Sequence, residues 1–183
     1  MVALIAYLIL LFALLLFLIF MSVYSALLIY SSVMGSPYVA TRNKVIAEML
    51  SMADLKKGKL LMELGSGDGR VSMLAGKLYG VKAVGFDVNP LLVFWSNYLA
   101  KMRHLKNCHF EQKNIFDADY SKADYLYIFL MPDLIKKLIP KLKKELKKGS
   151  VIISHGFKVE DRKIKLYKTR ESHSFNTYYY KLT

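Results

Sequence analysis

Three glycines, Gly65, Gly67 and Gly69, stand at single-residue spacing behind the short apolar run "KLLMEL", which carries one acid, Glu63. Glycines so placed let a backbone turn tightly and approach a ligand closely. About twenty residues further on, Asp87 ends the apolar run in "VGFDVNP"; an acid at that distance, at the end of a second strand, commonly accepts hydrogen bonds from ribose hydroxyls. Asn114 ends a third such run, "CHFEQKN", where its side chain can reach an adenine edge. One glycine motif by itself is a weak signal, but polar groups at the ends of three successive strand candidates form a nucleoside site.

The spacing argues against a dinucleotide. Loops of that type read G-x-G-x-x-G and present a helix N-terminus to a pyrophosphate. Here the pattern is G-x-G-x-G, with Glu63 before it and Asp68 inside it. Two acids disfavour a pyrophosphate and suit a ligand that carries an amino group and a sulfonium. S-adenosylmethionine has an ammonium for the Glu63 region, a ribose for Asp87 and an adenine for Asn114. The cofactor set is therefore Glu63, Gly65, Ser66, Gly67, Asp68 and Gly69, then Asp87, Val88 and Asn89, then Asn114 and Ile115. Tyr38 and Thr41, just ahead of the domain, are added as residues folding over the cofactor. No metal-ligating set is assigned.

Each of these positions also has a plainer reading. Gly69 suits close helix–strand packing, Asp87 suits helix capping through its neighbour Asn89, and Asn114 suits a turn. Thr41 suits an N-cap and Tyr38 a linker. His155 ends a strand on the ligand side and suits either a structural or a catalytic role. Trp95 and Cys108 read as core.

The elements that must position these residues alternate. Strand candidates are Lys59 to Leu64, "KAVGFDV", "CHFEQKN", Asp124 to Leu130, "SVIISHGF", "RKIKLYKTR" and "SFNTYYYKL". Helix candidates are "TRNKVIAEMLSMADL", Arg70 to Gly80, "PLLVFWSNYLAKMRHL" and "DLIKKLIPKLKKELKKG", the last expected to kink at Pro140. Strand–helix alternation with short links means a parallel sheet covered on both faces, here closed by an antiparallel edge pair. Ligands of such sheets sit at the carboxyl ends of the strands.

The charge is divided along the chain. No Lys, Arg, Asp or Glu occurs from Met1 to Thr41, so the net charge of +13 belongs to the remainder. The run from Val2 to Phe20 has no polar side chain except Tyr7. About 20 apolar residues span a bilayer as a helix. A cleavable signal peptide has a shorter apolar region behind a basic start, so residues 1–34 read as an anchor, 35–58 as linker and a preceding helix, and 59–183 as the main domain. Arg42, Lys44, Lys56, Lys57 and Lys59 follow the run, which places the domain on the cytosolic side, or the matrix side of a mitochondrial membrane. Cys108 is the single cysteine, so no intrachain disulfide forms. Seven lysines between Lys136 and Lys148 flank a leucine stripe; this reads as a solvated outer face, with anionic lipid contact as the alternative. Nucleic-acid binding is disfavoured, since no recognition motif or stacking sheet accompanies the charge.

The chain resembles the membrane-anchored protein lysine methyltransferases that modify the ATP synthase c-subunit and the adenine nucleotide translocase, with their prokaryotic relatives. The resemblance is carried by the apolar N-terminus and by "PYVAT" (37–41), "ELGSGDGR" (63–70), "DVNP" (87–90), "NIF" (114–116), "FLMP" (129–132) and "SHGF" (154–157). Ala40 stands where that family has proline, and Asn114 where it has an acid. The resemblance implies a Rossmann-like seven-strand class I methyltransferase fold. It also implies methyl transfer from S-adenosylmethionine to a lysine of a protein, one embedded in a membrane. Phe129, Leu130, Met131 and Pro132 are then the substrate-amine pocket, holding an amine through carbonyls and apolar surface, with the Tyr127 ring as a further contact. Rival readings are a small-molecule or lipid methyltransferase, an amino-methyltransferase for nucleic acid and a non-catalytic cofactor-binding module.

Overall fold

A computed structural model describes residues 1–33 and 41–183. The chain divides into two compact units, Met1–Tyr38 and Val39–Thr183. The first holds one helix, α1 (Val2–Val33). Its stretch Val2–Ala26 has a mean hydropathy of 3.2 and none of it is buried. It is long and apolar enough to cross a bilayer, which makes it a candidate membrane span.

The second unit opens with α2 (Asn43–Ser51), which buries Ile46, Met49 and Leu50. Arg42, and not Thr41, is its N-cap, in extended conformation, so the helix starts two residues later than the sequence reading placed it. Five parallel strands then alternate with three helices: β1 (Leu60–Leu64), α3 (Arg70–Tyr79), β2 (Lys82–Asp87), α4 (Pro90–Met102), β3 (Cys108–Gln112), β4 (Tyr125–Ile128), α5 (Pro132–Glu145) and β5 (Val151–His155). The strands β6 (Ile164–Arg170) and β7 (Thr177–Leu182) pair antiparallel with each other, and β7 pairs antiparallel with β5. The order across the seven-stranded sheet is β3-β2-β1-β4-β5-β7-β6.

Alternation along the strands fills two cores. Leu61, Ala83, Phe110, Tyr125, Tyr127, Ile153 and Tyr179 face one side with residues of α2, α3 and α4. Met62, Leu64, Phe86, Leu126, Ile128, Ile152 and Tyr180 face the other, with Ile135, Leu138 and Leu142 of α5. The α5 helix runs from Pro132 through Pro140 to Glu145 as one element. Helix ends follow local chemistry. Gly80, at φ 65°, closes α3 in left-handed conformation. Asn89 caps α4 by accepting from the Leu91 and Leu92 amides, and Pro90 occupies the first turn.

Of the two residues read as core, Cys108 is buried. Trp95 is not: it is 49% exposed and stacks on Tyr98 with ring centroids 5.6 Å apart. The helix turns Val93, Ser96 and Ala100 inward instead, and Trp95 falls outside that stripe.

Candidate functional site

Four neighbouring parallel strands, in the order β3-β2-β1-β4, deliver the predicted residues to one edge of the sheet. The glycine loop leaves β1 at Leu64, Asp87 ends β2, Asn114 stands two residues beyond β3, and Phe129 to Pro132 follow β4 directly. Register fixes the neighbours: Leu64 lies between Phe86 and Ile128, and Ile128 lies beside Ser154 of β5. This is the carboxyl edge, where ligands of open α/β sheets bind. Tyr38 lies outside the described residues.

The loop is shaped by its glycines and by two carboxylates. Gly65, Gly67 and Gly69 have φ of 72°, 53° and 74°, a region that other residues enter only at a cost. The Asp87 carboxylate accepts from the Gly67 amide at 2.8 Å and from the Asn89 amide at 2.8 Å. It thereby fastens the loop to the end of β2 and to the start of α4. Burial raises its pKa, against the amides that lower it. Glu63 is 3% exposed and accepts from the Ser72 amide at 3.0 Å, satisfying a donor in the first turn of α3. Burial pushes the Glu63 carboxyl up to about 8 against the Ser72 contacts, with Asp68 and Asp87 adding repulsion. A nearly neutral buried acid of this kind regains its charge when a cation comes beside it.

Asp68 has a different role from the one its charge suggests. It is paired with Arg70, whose Nε lies 2.9 Å and 3.0 Å from its two oxygens. With that charge compensated, the case against a pyrophosphate rests on Glu63. The same guanidinium donates through Nη1 to the Thr41 carbonyl at 3.0 Å, tying the backbone ahead of α2 to the glycine loop. Sequence reasoning misses Arg70 as a member of the site. The signal is present in "GDGR", where an acid and a base flank a positive-φ glycine.

Other predicted residues sort between ligand and packing. Asn114 accepts from the Phe116 amide at 3.0 Å, a local turn contact. Ile115 is buried under Tyr120, whose hydroxyl donates to the Ile115 carbonyl. Val88 sits between Asp87 and Asn89, and its carbonyl accepts from Gln112 Nε2 at 3.5 Å. A Cβ on Gly69 would lie 2.4 Å from the Phe110 ring, so packing alone demands glycine there, as the plainer reading had it. A Cβ on Gly65 would lie 3.4 Å from Leu130, which places the loop against the segment that follows β4.

In that segment Leu130 is buried and Met131 is 44% exposed. Met131 is the N-cap of α5, and its carbonyl already accepts from the Leu134 and Ile135 amides. It is therefore a poorer amine acceptor than expected. Tyr127 is 3% exposed, in the core cluster shared with α2, α3 and α4, and offers no open ring face. The ring that does border the segment belongs to His155. It meets Phe129 edge-on at 4.6 Å and Phe175 at 5.8 Å, while its Nδ1 lies 3.0 Å from Thr177 Oγ1. Burial, helped by Arg170, lowers its pKa to about 4, so the ring is neutral at physiological pH.

Whether S-adenosylmethionine fits can be judged from the polar atoms left over. Ser66 Oγ, in the loop, and Asn89 Nδ2, at the head of α4, are buried and have no hydrogen-bond partner among the described residues. Buried polar atoms are normally satisfied, and these two flank Asp87. Together with the Glu63 carboxyl they offer an acceptor, a donor and a site for positive charge, which suits a nucleoside joined to an amino acid.

Comparison with known proteins agrees. The chain is 36% identical over 129 residues to a protein-lysine N-methyltransferase of Saccharolobus islandicus, covering 67% of this chain and 78% of that one. It is 31% identical over 122 residues to the human lysine N-methyltransferase of the ATP synthase c-subunit, covering 66% of this chain and 52% of the human protein. The chain thus spans about half the length of that relative. Among solved structures, an RNA methyltransferase of Salinibacter ruber in complex with S-adenosyl-L-homocysteine superimposes with a TM-score of 0.75 at 30% identity, over 79% of this chain and 94% of that one. Residues 63–165 match the family model of the ANTKMT methyltransferase domain, and the chain belongs to that family of S-adenosylmethionine-dependent protein-lysine methyltransferases.

Proposed function

We propose that the chain methylates the side-chain amine of a lysine in a membrane-embedded protein, at the edge where the glycine loop meets the segment after β4. The observation that carries this reading is the contact between Gly65 and Leu130, which sets the proposed cofactor loop beside the proposed amine pocket. Bound S-adenosylmethionine supplies an electrophilic methyl group and a positive charge. The chain's part is to hold, orient and dry the acceptor. Glu63 and Asp87 hold the amino acid and ribose ends. Phe129, Leu130 and Pro132 line the acceptor side. A lysine amine has an ordinary pKa of about 10.4 and must be neutral to react; burial against these apolar groups lowers it. His155, with a pKa of about 4, is a weak base and serves as an apolar wall. The Tyr38 and Thr41 segment is proposed to close over the cofactor, supported by the Arg70 contact to Thr41.

The membrane part of the reading is supported by the apolarity of α1 and by relatives whose names give membrane proteins as targets. The basic residues that follow α1 support a cytosolic or matrix-facing domain. Nucleic acid is a second reading, favoured by the name of the Salinibacter structure; the segment "FLMP" lacks the Asn or Asp ahead of Pro-Pro that such enzymes commonly place after this strand.

The experiment is incubation of the purified protein with methyl-labelled S-adenosylmethionine and native membranes, with Glu63→Gln as the negative control. Label in a protein band, lost on the control and recovered as methyl-lysine after hydrolysis, is the expected result. Label in the lipid extract or in RNA would overturn the lysine reading.

A further inference from the structure

The outer face of α4 is unusually apolar. Phe94, Trp95, Tyr98 and Met102 are 71%, 49%, 46% and 60% exposed. Their positions recur at intervals of three and four, so they form one stripe, opposite the buried stripe of Val93, Ser96 and Ala100. The sheet does not need this stripe, since the inward face already fills the core.

The end of the same helix is basic. Lys101, Arg103, His104 and Lys106 follow one another, and no Asp or Glu occurs between Val88 and Phe110. None of the four is in an ion pair among the described residues. His104 takes a left-handed conformation, φ 55°, as the chain turns out of the helix. A cavity of about 310 Å³ opens there, lined by Lys101, His104, Lys106 and the apolar flank of Ala100 and Leu105.

We propose that this face of α4 docks on an anionic lipid surface. Phe94, Trp95, Tyr98 and Met102 would enter the boundary between headgroups and acyl chains, and the basic end with its cavity would take the phosphates. Three observations select lipid over another protein. Trp and Tyr are the side chains enriched at bilayer interfaces. An apolar stripe bordered by uncompensated Lys and Arg is the pattern of helices that lie in an anionic interface. The chain also carries a candidate membrane span, which brings the domain to such a surface. The proposal goes beyond the methyl-transfer reading and does not depend on which amine is methylated.

Trp95 is the single tryptophan of the chain, so its fluorescence reports this face alone. The full-length protein is reconstituted into vesicles of phosphatidylcholine, with or without phosphatidylglycerol, whose acyl chains are brominated near the headgroup. The expected result is a blue-shifted Trp95 emission, quenched at least threefold more strongly in the anionic vesicles. Each basic residue near such a surface is worth about fivefold in occupancy, so raised salt or the combined Lys101→Glu, Arg103→Glu and Lys106→Glu variant should return quenching to the neutral-vesicle level. Cofactor affinity of the variant, unchanged, shows that it folds. Emission that stays solvent-like and unquenched in both vesicles overturns the proposal. So does shielding of Trp95 without quenching, whether copies cross-link through α4 or added RNA brings the shielding about.

Discussion

Replacing Glu63 by Gln separates what this residue does for the fold from what it does for the ligand, because the two effects have opposite signs. The unfolded chain titrates near the ordinary value of 4.5, and burial raises the folded value to about 8. The folded state therefore holds the proton more tightly, and stability is lost as pH rises from 4.5 through 8. At pH 7 about nine in ten folded molecules keep the acid neutral, and the linkage costs the fold on the order of 3 kcal/mol. Gln removes the titration, and its carbonyl can still accept from the Ser72 amide that Glu63 holds at 3.0 Å. Glu63→Gln should match the wild type near pH 4.5 and melt at a higher temperature at pH 7. Binding should move the other way. The variant loses a charge-assisted contact worth about 1.5–3 kcal/mol, roughly ten- to a hundredfold in S-adenosylmethionine affinity. Wild-type affinity should also rise with pH toward 8, where the variant is flat. Paired thermal melts and titration calorimetry on the detergent-solubilised protein measure both. A variant less stable than the wild type at pH 7, or one that binds as tightly, would refute the reasoning.

Asp87→Ala removes the acceptor of both the Gly67 and Asn89 amides; the melt should drop by the equivalent of about 2–4 kcal/mol, at about 1–2 kcal/mol for each orphaned donor, and cofactor titration should show weakened binding while circular dichroism stays native. Arg70→Met should loosen the backbone at Thr41, seen as faster amide exchange ahead of α2, with KM for the cofactor rising more than kcat falls. His155 is neutral down to about pH 4 in the fold but titrates near 6.5 when unfolded, so stability is lost as pH falls from 6.5 toward 4; His155→Phe should remove that loss, read as the difference in melting temperature between pH 7 and pH 5. Gly85→Ala sets a Cβ 2.5 Å from the Phe110 ring and should cost about 1–3 kcal/mol by overpacking, recovered in denaturant titration by adding Phe110→Leu.

Much of the fold was legible because it depends on local rules. Period-two burial in "LLMEL" and "YLYI", Gly80 after α3 and Asn89-Pro90 before α4 are each written within a few residues. The site was legible where one residue type has one use, as with positive-φ glycines. It was obscured where a side chain's partner lies far along the chain. Asp68 looks like an acid for the ligand until Arg70 and Thr41 come together around it. Tyr127 looks available until the sheet buries it beside Glu63. Trp95 looks like core because its bulk suggests burial, yet the helix phase set by Val93, Ser96 and Ala100 turns it outward.

Phe110 gives the glycine motif a second meaning. Its ring fills the space beside both Gly69 of the loop and Gly85 of β2, and Ser66 closes the same gap from the other side. Two glycines separated by sixteen residues (85 − 69) are thus held hostage to one aromatic ring on β3, and none of the three can drift alone. A lineage that lost the aromatic ring would be free to lose these glycines while still binding the same nucleoside. A lineage that kept the ring would keep them after losing every trace of activity. Inherited glycines at these two places therefore record the history of a packing choice, and the polar atoms at Glu63, Asp87 and Asn89 are the better witnesses to whether the enzyme still works.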